Sequence, residues 1–95
     1  MAKAAEVQPI ARDLIAAELG ADAEVVSVSV KESTDYYGDD ILVVRVVYRS
    51  KDKLDGQVLA GMVRHLRSRL SESIAEDRFP VLSFVSQSED RTEAA

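Results

Sequence analysis

The chain of 95 residues contains no cysteine and no tryptophan. The lack of cysteine excludes disulfide bonds, a thiolate nucleophile and a thiolate-bound metal cluster within the chain. No apolar run approaches the roughly 20 residues that a membrane-spanning helix needs, and the N-terminus lacks the apolar stretch of a signal peptide. These absences favour a cytoplasmic protein without a membrane segment.

Basic residues are also fewer than acidic residues in this sequence. Twelve Lys and Arg residues stand against 17 Asp and Glu residues, which gives a formal net charge of −5 at pH 7. A negative total opposes broad electrostatic attraction to nucleic acid. Because 46% of the residues are hydrophobic, an ordinary share for a globular protein, the length and composition together predict one folded domain.

Hydrophobic periodicity predicts two helices and three strands. Apolar residues at helical spacing mark the helices, and alternation of apolar and polar residues marks the strands. The predicted elements in chain order are helix 7–19, strand 25–32, strand 41–49, helix 55–76 and strand 81–87. Gly20 is a suitable stop for the first helix, Pro9 fits its first turn, and Asp55 is the expected N-cap of the second.

Two amphipathic helices need one apolar sheet face. The economical arrangement is a two-layer α+β sandwich in the order αββαβ, with a three-stranded sheet and both helices on the same face. In the first strand, Val26, Val28 and Val30 alternate with polar residues and are expected to face the helices. The domain is predicted over 7–87, with 1–6 and 88–95 as flexible tails. The third strand can pair beside either the first or the second.

The sheet face away from the helices is predicted to mix apolar, small polar and charged side chains. Such a face is a candidate interface for a protein partner or for a second copy of the chain. Scattered surface valines without a function are the alternative interpretation. The candidate interface residues are Ile41, Val43, Arg45, Val47 and Val85.

Basic residues of the second helix form another candidate site, for phosphate or for an acidic partner surface. These residues are Arg64, His65, Arg67 and Arg69. Guanidinium groups bind phosphates and carboxylates through paired hydrogen bonds. A solvated helix face with local ion pairs explains the same residues and is the favoured interpretation.

The sequence indicates no catalytic residue, metal or cofactor. His65 is the only histidine, and no nucleophile or orienting acid accompanies it in the sequence. The acidic residues Glu32, Asp35, Asp39 and Asp40 offer oxygen ligands for a divalent cation. A hairpin that needs turn-forming residues accounts for them better. The chain is therefore expected not to be an enzyme.

Several local features resemble the type II KH-like fold and, within it, BolA-like proteins. Glu32-Ser33 at the end of the first strand is similar to the Glu-Ser that closes the same strand in that family. Gly56 with Arg64-His65 is similar to the family's Gly and Arg-His, although the spacing is two residues longer. The resemblance implies the same αββαβ order over most of 10–88.

The sequence differs from these families at two positions that are important for their functions. Pro80 stands where BolA-like proteins have a histidine that helps hold an iron–sulfur cluster shared with a glutaredoxin, so that activity is not carried over. The Gly-x-x-Gly loop of KH domains is missing, because Gly56 and Gly61 are five residues apart. The segments 63–67 and 79–85 also resemble a group of small uncharacterised bacterial proteins, which supply no activity.

These observations lead to a hypothesis with two alternatives. The leading hypothesis is a small, cytoplasmic, non-enzymatic protein-interaction module that forms a homodimer or larger homo-oligomer through the open sheet face. The first alternative is a KH-like nucleic-acid-binding domain that uses the basic helix face, although the net charge disfavours it. The second alternative is an antitoxin-like regulator of a co-encoded protein.

Overall fold

A computed structural model describes residues 2–87 of the chain. The two helices are α1 (Ala4–Leu19) and α2 (Gly56–Ile74), and a 3₁₀ turn (Gly20–Asp22) follows α1. The three strands are β1 (Glu24–Thr34), β2 (Asp40–Arg49) and β3 (Phe79–Ser86). The predicted α+β class and the order αββαβ are confirmed. The predicted tail at 88–95 lies outside the described residues.

The strands form one mixed sheet in the order β1-β2-β3. β1 and β2 are an antiparallel hairpin, whereas β2 and β3 are parallel. A parallel pair needs a long crossover, and α2 provides it. The third strand therefore lies beside the second, which settles the strand order that the sequence pattern left open.

Both helices pack on the same face of this sheet, as predicted. Side chains from α1, α2 and all three strands meet in one apolar core. The fully buried core residues are Val7, Ala11, Ile15, Leu42, Val44, Val46, Met62, Leu66 and Leu70. In the described part of the chain, neither helix is long and apolar enough to cross a membrane.

A β-bulge in β1 changes which valines face the core. Val25 pairs with Tyr48, but the next pair along the ladder is Ser27 with Val47, so Val26 is an extra residue between them. A bulge shifts the alternation by one position. Val25 therefore packs against the core together with Val28 and Val30. The prediction that Val26 faces the helices is wrong, because simple alternation does not include the bulge.

Helix α1 begins earlier than its apolar pattern indicates. The structure differs from the predicted tail at 1–6, since Ala4–Leu19 is helical and Ala2 is only 8% exposed. Pro9 consequently lies in the second turn rather than the first, where it cannot donate to the carbonyl of Ala5. Ala2 belongs to the core cluster, so the chain at the start of this extra turn is packed against the core.

The start of α2 agrees with the sequence pattern, and its end lies slightly earlier than predicted. The Asp55 carboxylate accepts a hydrogen bond from the backbone N–H of Gln57 at 2.9 Å, which confirms the N-cap. The helix ends at Ile74, because Ala75 adopts a left-handed conformation with φ of 52°. The N–H of Ala75 donates to the carbonyl of Ser71 at 3.1 Å, and the N–H of Glu76 donates to the carbonyl of Leu70 at 3.2 Å.

Candidate functional site

The open sheet face is the side of the sheet opposite the helices. The ladder register arranges its residues in four rows across β1, β2 and β3. The rows are Ser33–Ile41–Phe79, Lys31–Val43–Val81, Ser29–Arg45–Ser83 and Ser27–Val47–Val85. All five predicted interface residues therefore lie on one face, and the structure adds Phe79 and Val81 to them.

The apolar part of this face is concentrated at the end near the β1–β2 hairpin. Ile41 and Val43 on β2 are partly exposed beside Phe79 and Val81 on β3. Phe79 is 45% exposed and Val81 is 39% exposed, so this group presents a continuous apolar surface to solvent. The sequence pattern began the third strand at 81 because Phe79-Pro80 indicates a helix stop, and it therefore left Phe79 outside the sheet.

The other predicted interface residues contribute differently. Val47 is only 3% exposed and lies between Ser27 and Val85 on the two neighbouring strands. It packs the sheet and offers almost no surface to a partner. Arg45 lies in the row between the two apolar groups, with Ser29 and Ser83 on either side. The open sheet face thus has an apolar end and a polar middle.

The four predicted basic residues do not form one patch. Arg64 and Arg67 line a cleft of about 580 Å³, to which Glu72 and Asp77 also contribute. His65 and Arg69 line a different cleft, against α1. Helical geometry separates the pairs, because residues three or four apart share a side of the helix and adjacent residues do not. Acidic residues line both clefts, and Glu72 contributes to each of them.

Two of these basic side chains have specific contacts. The guanidinium carbon of Arg67 lies 5.1 Å from the centroid of the Phe79 ring, a cation–π distance. This contact places the Phe79 ring at the boundary between β3 and α2. His65 contacts the Glu18 carboxylate through Nδ1, and this pair links α2 to α1 at the surface.

Glu18 is the acidic partner of His65 that the sequence did not indicate. The two residues are 47 positions apart, so no local motif connects them. The side chains remain 49% exposed for His65 and 31% exposed for Glu18. An open pair of this kind is typical of a surface interhelical contact, since general bases are usually held in more enclosed sites.

The most enclosed charged group in the described chain is Glu76, at 3% exposure. Its carboxylate accepts from the backbone N–H of Ala2 at 2.9 Å and from the backbone N–H of Arg78 at 3.0 Å. The Arg78 guanidinium donates to both carboxylate oxygens, at 2.8 Å and 3.0 Å. It also donates to Glu32 at 2.7 Å and to the carbonyl of Ala2. We refer to Ala2, Glu32, Glu76 and Arg78 as the terminal clamp.

Electrostatics in the terminal clamp favour the charged forms of both partners. The Arg78 side chain lowers the pKa of Glu76 from 4.5 to about 2; burial opposes this shift, and the N–H groups of Arg78 and Ala2 reinforce it. Hydrogen bonds to Glu76 and Glu32 raise the pKa of Arg78 above its usual value. Because these groups satisfy one another, the terminal clamp is a structural element.

The acidic hairpin is a turn held by its first residue. The Asp35 carboxylate accepts from the N–H groups of Tyr37 and Asp39, both at 2.9 Å. This confirms the turn-forming role predicted for Asp35. Tyr36 and Tyr37 project from the loop at 96% and 86% exposure, with their rings in an edge-to-face contact. Glu32 is not part of this loop network, since it pairs with Arg78.

Comparison with protein-family profiles and with curated proteins finds no match. Among solved structures, the chain resembles part of the amide bond synthetase McbA from Marinactinospora thermotolerans, with 14% identity and a TM-score of 0.51. The match covers 98% of this chain and 18% of the synthetase. A lysine-to-alanine mutant of that enzyme matches at 15% identity, with a TM-score of 0.49 and coverage of 96% and 17%. At this identity the likeness concerns the fold alone.

Proposed function

We propose that this protein is a non-enzymatic interaction module that self-associates through the open sheet face. One observation carries the proposal: Ile41, Val43 and Val81 form a partly exposed apolar group on the face that both helices leave uncovered. The Phe79 ring, which contacts Arg67 of α2, borders this group. The proposal keeps the cytoplasmic location expected from the sequence.

The physical argument for association rests on apolar surface. Removing apolar area from water stabilises a contact by about 25 cal/mol per Å². Small domains expose scattered apolar residues as a rule, but adjacent ones on a flat face are typical of interfaces. A second copy is the proposed occupant, because a two-fold contact buries the same group on both chains. Arg45 then contributes a charged group to the polar rim of the contact.

The test replaces two apolar residues of the central strand by lysine. Ile41→Lys with Val43→Lys introduces charge into the proposed contact, while both long side chains can reach solvent. We expect light scattering after size-exclusion chromatography to show an oligomer for the wild type and a smaller species for the double variant. Val47 is avoided, because a lysine at a position that is 3% exposed would disturb the fold itself.

The matched control adds the same charge on the helix side. Ala16→Lys with Ser73→Lys alters two exposed helical positions far from the open sheet face. This control should retain the wild-type mass, and circular dichroism should show that both double variants are folded. A wild-type mass for Ile41→Lys/Val43→Lys would contradict the open-face contact, as would a monomeric wild type at every concentration.

The two alternative functions stay predictions. A KH-like nucleic-acid-binding role would use Arg64, Arg67 and Arg69, which line two separate clefts together with carboxylates. An antitoxin-like role requires a co-encoded partner and makes no demand on a particular surface. No specific contact in the described residues favours either over self-association.

A further inference from the structure

The two edges of the sheet differ in how they are protected against pairing with another strand. On β1, the Val28 carbonyl accepts a hydrogen bond from the Gln8 side chain of α1 at 3.1 Å, and the bulge at Val26 interrupts the ladder. Lys31 and Glu32 add charge to the same strand. Bulges, charges and covering groups are the usual means of preventing unwanted strand pairing. The β1 edge is therefore closed.

The β3 edge has no bulge and no charged residue between Val81 and Val85. Within residues 2–87, β3 pairs on one side only, with β2, and its register of eight residues is uninterrupted. No charged residue occurs in Phe79–Ser86. Pro80 is at the second position, so the remaining six residues form a regular edge. An uncharged, regular edge is a template for another strand.

Side chains on both faces of β3 are incompletely covered. On the helix side, Leu82 and Phe84 are only partly buried, although their β2 neighbours Val44 and Val46 are fully buried. On the open side, Val81 is 39% exposed. Side chains of β3 are thus more exposed than their β2 neighbours on both faces of the sheet. This difference is expected where a further strand continues the sheet.

We propose that two copies of the chain pair their β3 strands antiparallel around a two-fold axis at Ser83, forming a continuous six-stranded sheet. Opposite residues of an antiparallel pair share one sheet face. With Ser83 on the axis, Val81 lies opposite Val85 of the second copy on the open side. On the helix side, Leu82 lies opposite Phe84 of the second copy. Each incompletely covered side chain thereby gains an apolar neighbour.

The second copy is the occupant that fits this edge. A strand without charge meets no like-charge repulsion when it pairs with itself. Two-fold pairing leaves neither β3 edge exposed, and the closed β1 edges prevent further growth into a fibre. The inference goes beyond the proposed function, because it gives the β3 edge a role in dimer formation. It does not require contact through the open sheet face.

A cysteine on the axis tests this geometry directly. The chain has no cysteine of its own, so each single substitution reports one position. In the proposed dimer, Ser83→Cys places two thiols on directly opposite residues, whose Cα atoms are about 4.5–5.5 Å apart, a separation that allows a disulfide. Under mild oxidation, we expect most of this variant to run as a dimer on a non-reducing gel.

Ser29→Cys is the matched control. Ser29 is an exposed serine in the same row of the open sheet face, but it lies on the closed β1 edge. It should remain largely monomeric on the gel. A dimer yield from Ser29→Cys equal to that from Ser83→Cys would overturn the edge pairing, and so would a Ser83→Cys variant that stays monomeric at concentrations where light scattering detects association.

Charge substitutions at the same positions give a second readout. Ser83→Lys places two like charges opposite each other across the axis, so the mass of the oligomer measured by light scattering should fall by half. Ser29→Lys should leave that mass unchanged. Mixing Ser83→Lys with Ser83→Glu should restore the dimer. Ser83→Lys acts on the edge and Ile41→Lys/Val43→Lys acts on the face, so either contact can fail without the other.

Discussion

At the scale of single residues, Glu76 is the least expected feature of the molecule. A carboxylate removed from water costs several kcal/mol unless hydrogen bonds and an opposite charge compensate. Two backbone N–H groups and the Arg78 guanidinium provide that compensation. The same bonds explain why Ala2 is buried and why the first turn of α1 is held in place.

Glu76 makes the stability of the fold depend on pH in the acid range. Its pKa is about 2 in the folded chain against an ordinary value of 4.5, so protonation favours unfolding. The stabilisation, of about 3 kcal/mol, is fully present above pH 4.5 and is lost as the pH falls towards 2. We expect urea unfolding to show a gap of this size between the wild type and Glu76→Gln at pH 7.

The same experiment has an internal reference. The gap between wild type and Glu76→Gln should narrow as the pH is lowered, because the wild-type carboxyl then becomes neutral. Glu24→Gln removes a pair with Arg49 in which both side chains are more than half exposed. Its gap should stay within about 0.5 kcal/mol throughout. A pH-independent gap for Glu76→Gln would show that the charge of Glu76 does not stabilise the fold.

Local residue roles were predictable, and distant ones were not. Asp55 caps the helix that follows it, and Asp35 holds the loop that follows it, so both roles depend on a few neighbouring residues. Glu76 contacts Ala2 across 74 positions, and Glu18 contacts His65 across 47. In the sequence, Glu76 has the appearance of an ordinary charged residue at a helix end.

At the scale of elements, α1 contains a proline at a position that is unfavourable for a helix. Pro9 is exposed in the second turn, and it removes the hydrogen bond to the carbonyl of Ala5. The helix nevertheless continues towards its N-terminus, because Val7 is buried and the terminal clamp holds Ala2. Tertiary contacts therefore override the local preference.

Replacing this proline should stabilise the protein. Pro9→Ala restores a backbone hydrogen bond worth up to about 3 kcal/mol in a helix interior, partly offset by about 1 kcal/mol of unfolded-state entropy. We expect the midpoint of thermal unfolding to rise by about 4–8 °C for each kcal/mol gained. Pro80→Ala is the contrasting variant, since Pro80 is fully buried and its loss should lower the midpoint. An unchanged or lowered midpoint for Pro9→Ala would contradict this account.

Element types followed from periodicity, as did the orientation of Val28 and Val30 towards the core, but the orientations of Val25 and Val26 did not. Helical and alternating patterns locate all five elements to within a few residues, because the pattern reflects the core face of each element. The bulge at Val26 belongs to the pairing of β1 with β2 and leaves no distinct mark in a run of valines and serines. The candidate interface residues on β2 and Val85 on β3 were therefore predictable, whereas the pairing of each residue with its neighbours across the strands required the register.

At the scale of the whole molecule, two helices cover one face of a three-stranded sheet, and no other helix or strand within residues 2–87 covers the second face or the β3 edge. The sequence did not determine which strand forms that edge, because the long crossover can return β3 to either side of the hairpin. Strand order, and with it the β3 edge, thus depended on the structure.

Self-association predicts that stability depends on protein concentration. Association adds stability to the folded state by mass action, so each tenfold increase in concentration should stabilise a dimer by about 1.4 kcal/mol. We expect the midpoint of thermal unfolding to rise with concentration for the wild type in differential scanning calorimetry. The same midpoint should be constant for a variant that light scattering shows to be monomeric. A constant wild-type midpoint would indicate a monomer.

The terminal clamp also has a consequence for how the chain folds. Its bond between Ala2 and Glu76 closes a loop of more than 70 residues, and closing such a loop costs entropy before any contact repays it. The short β1–β2 hairpin and the two helices can form without that cost. We therefore expect the clamp to form after the rate-limiting step, so that Glu76→Gln speeds unfolding and leaves the rate of folding almost unchanged in stopped-flow kinetics.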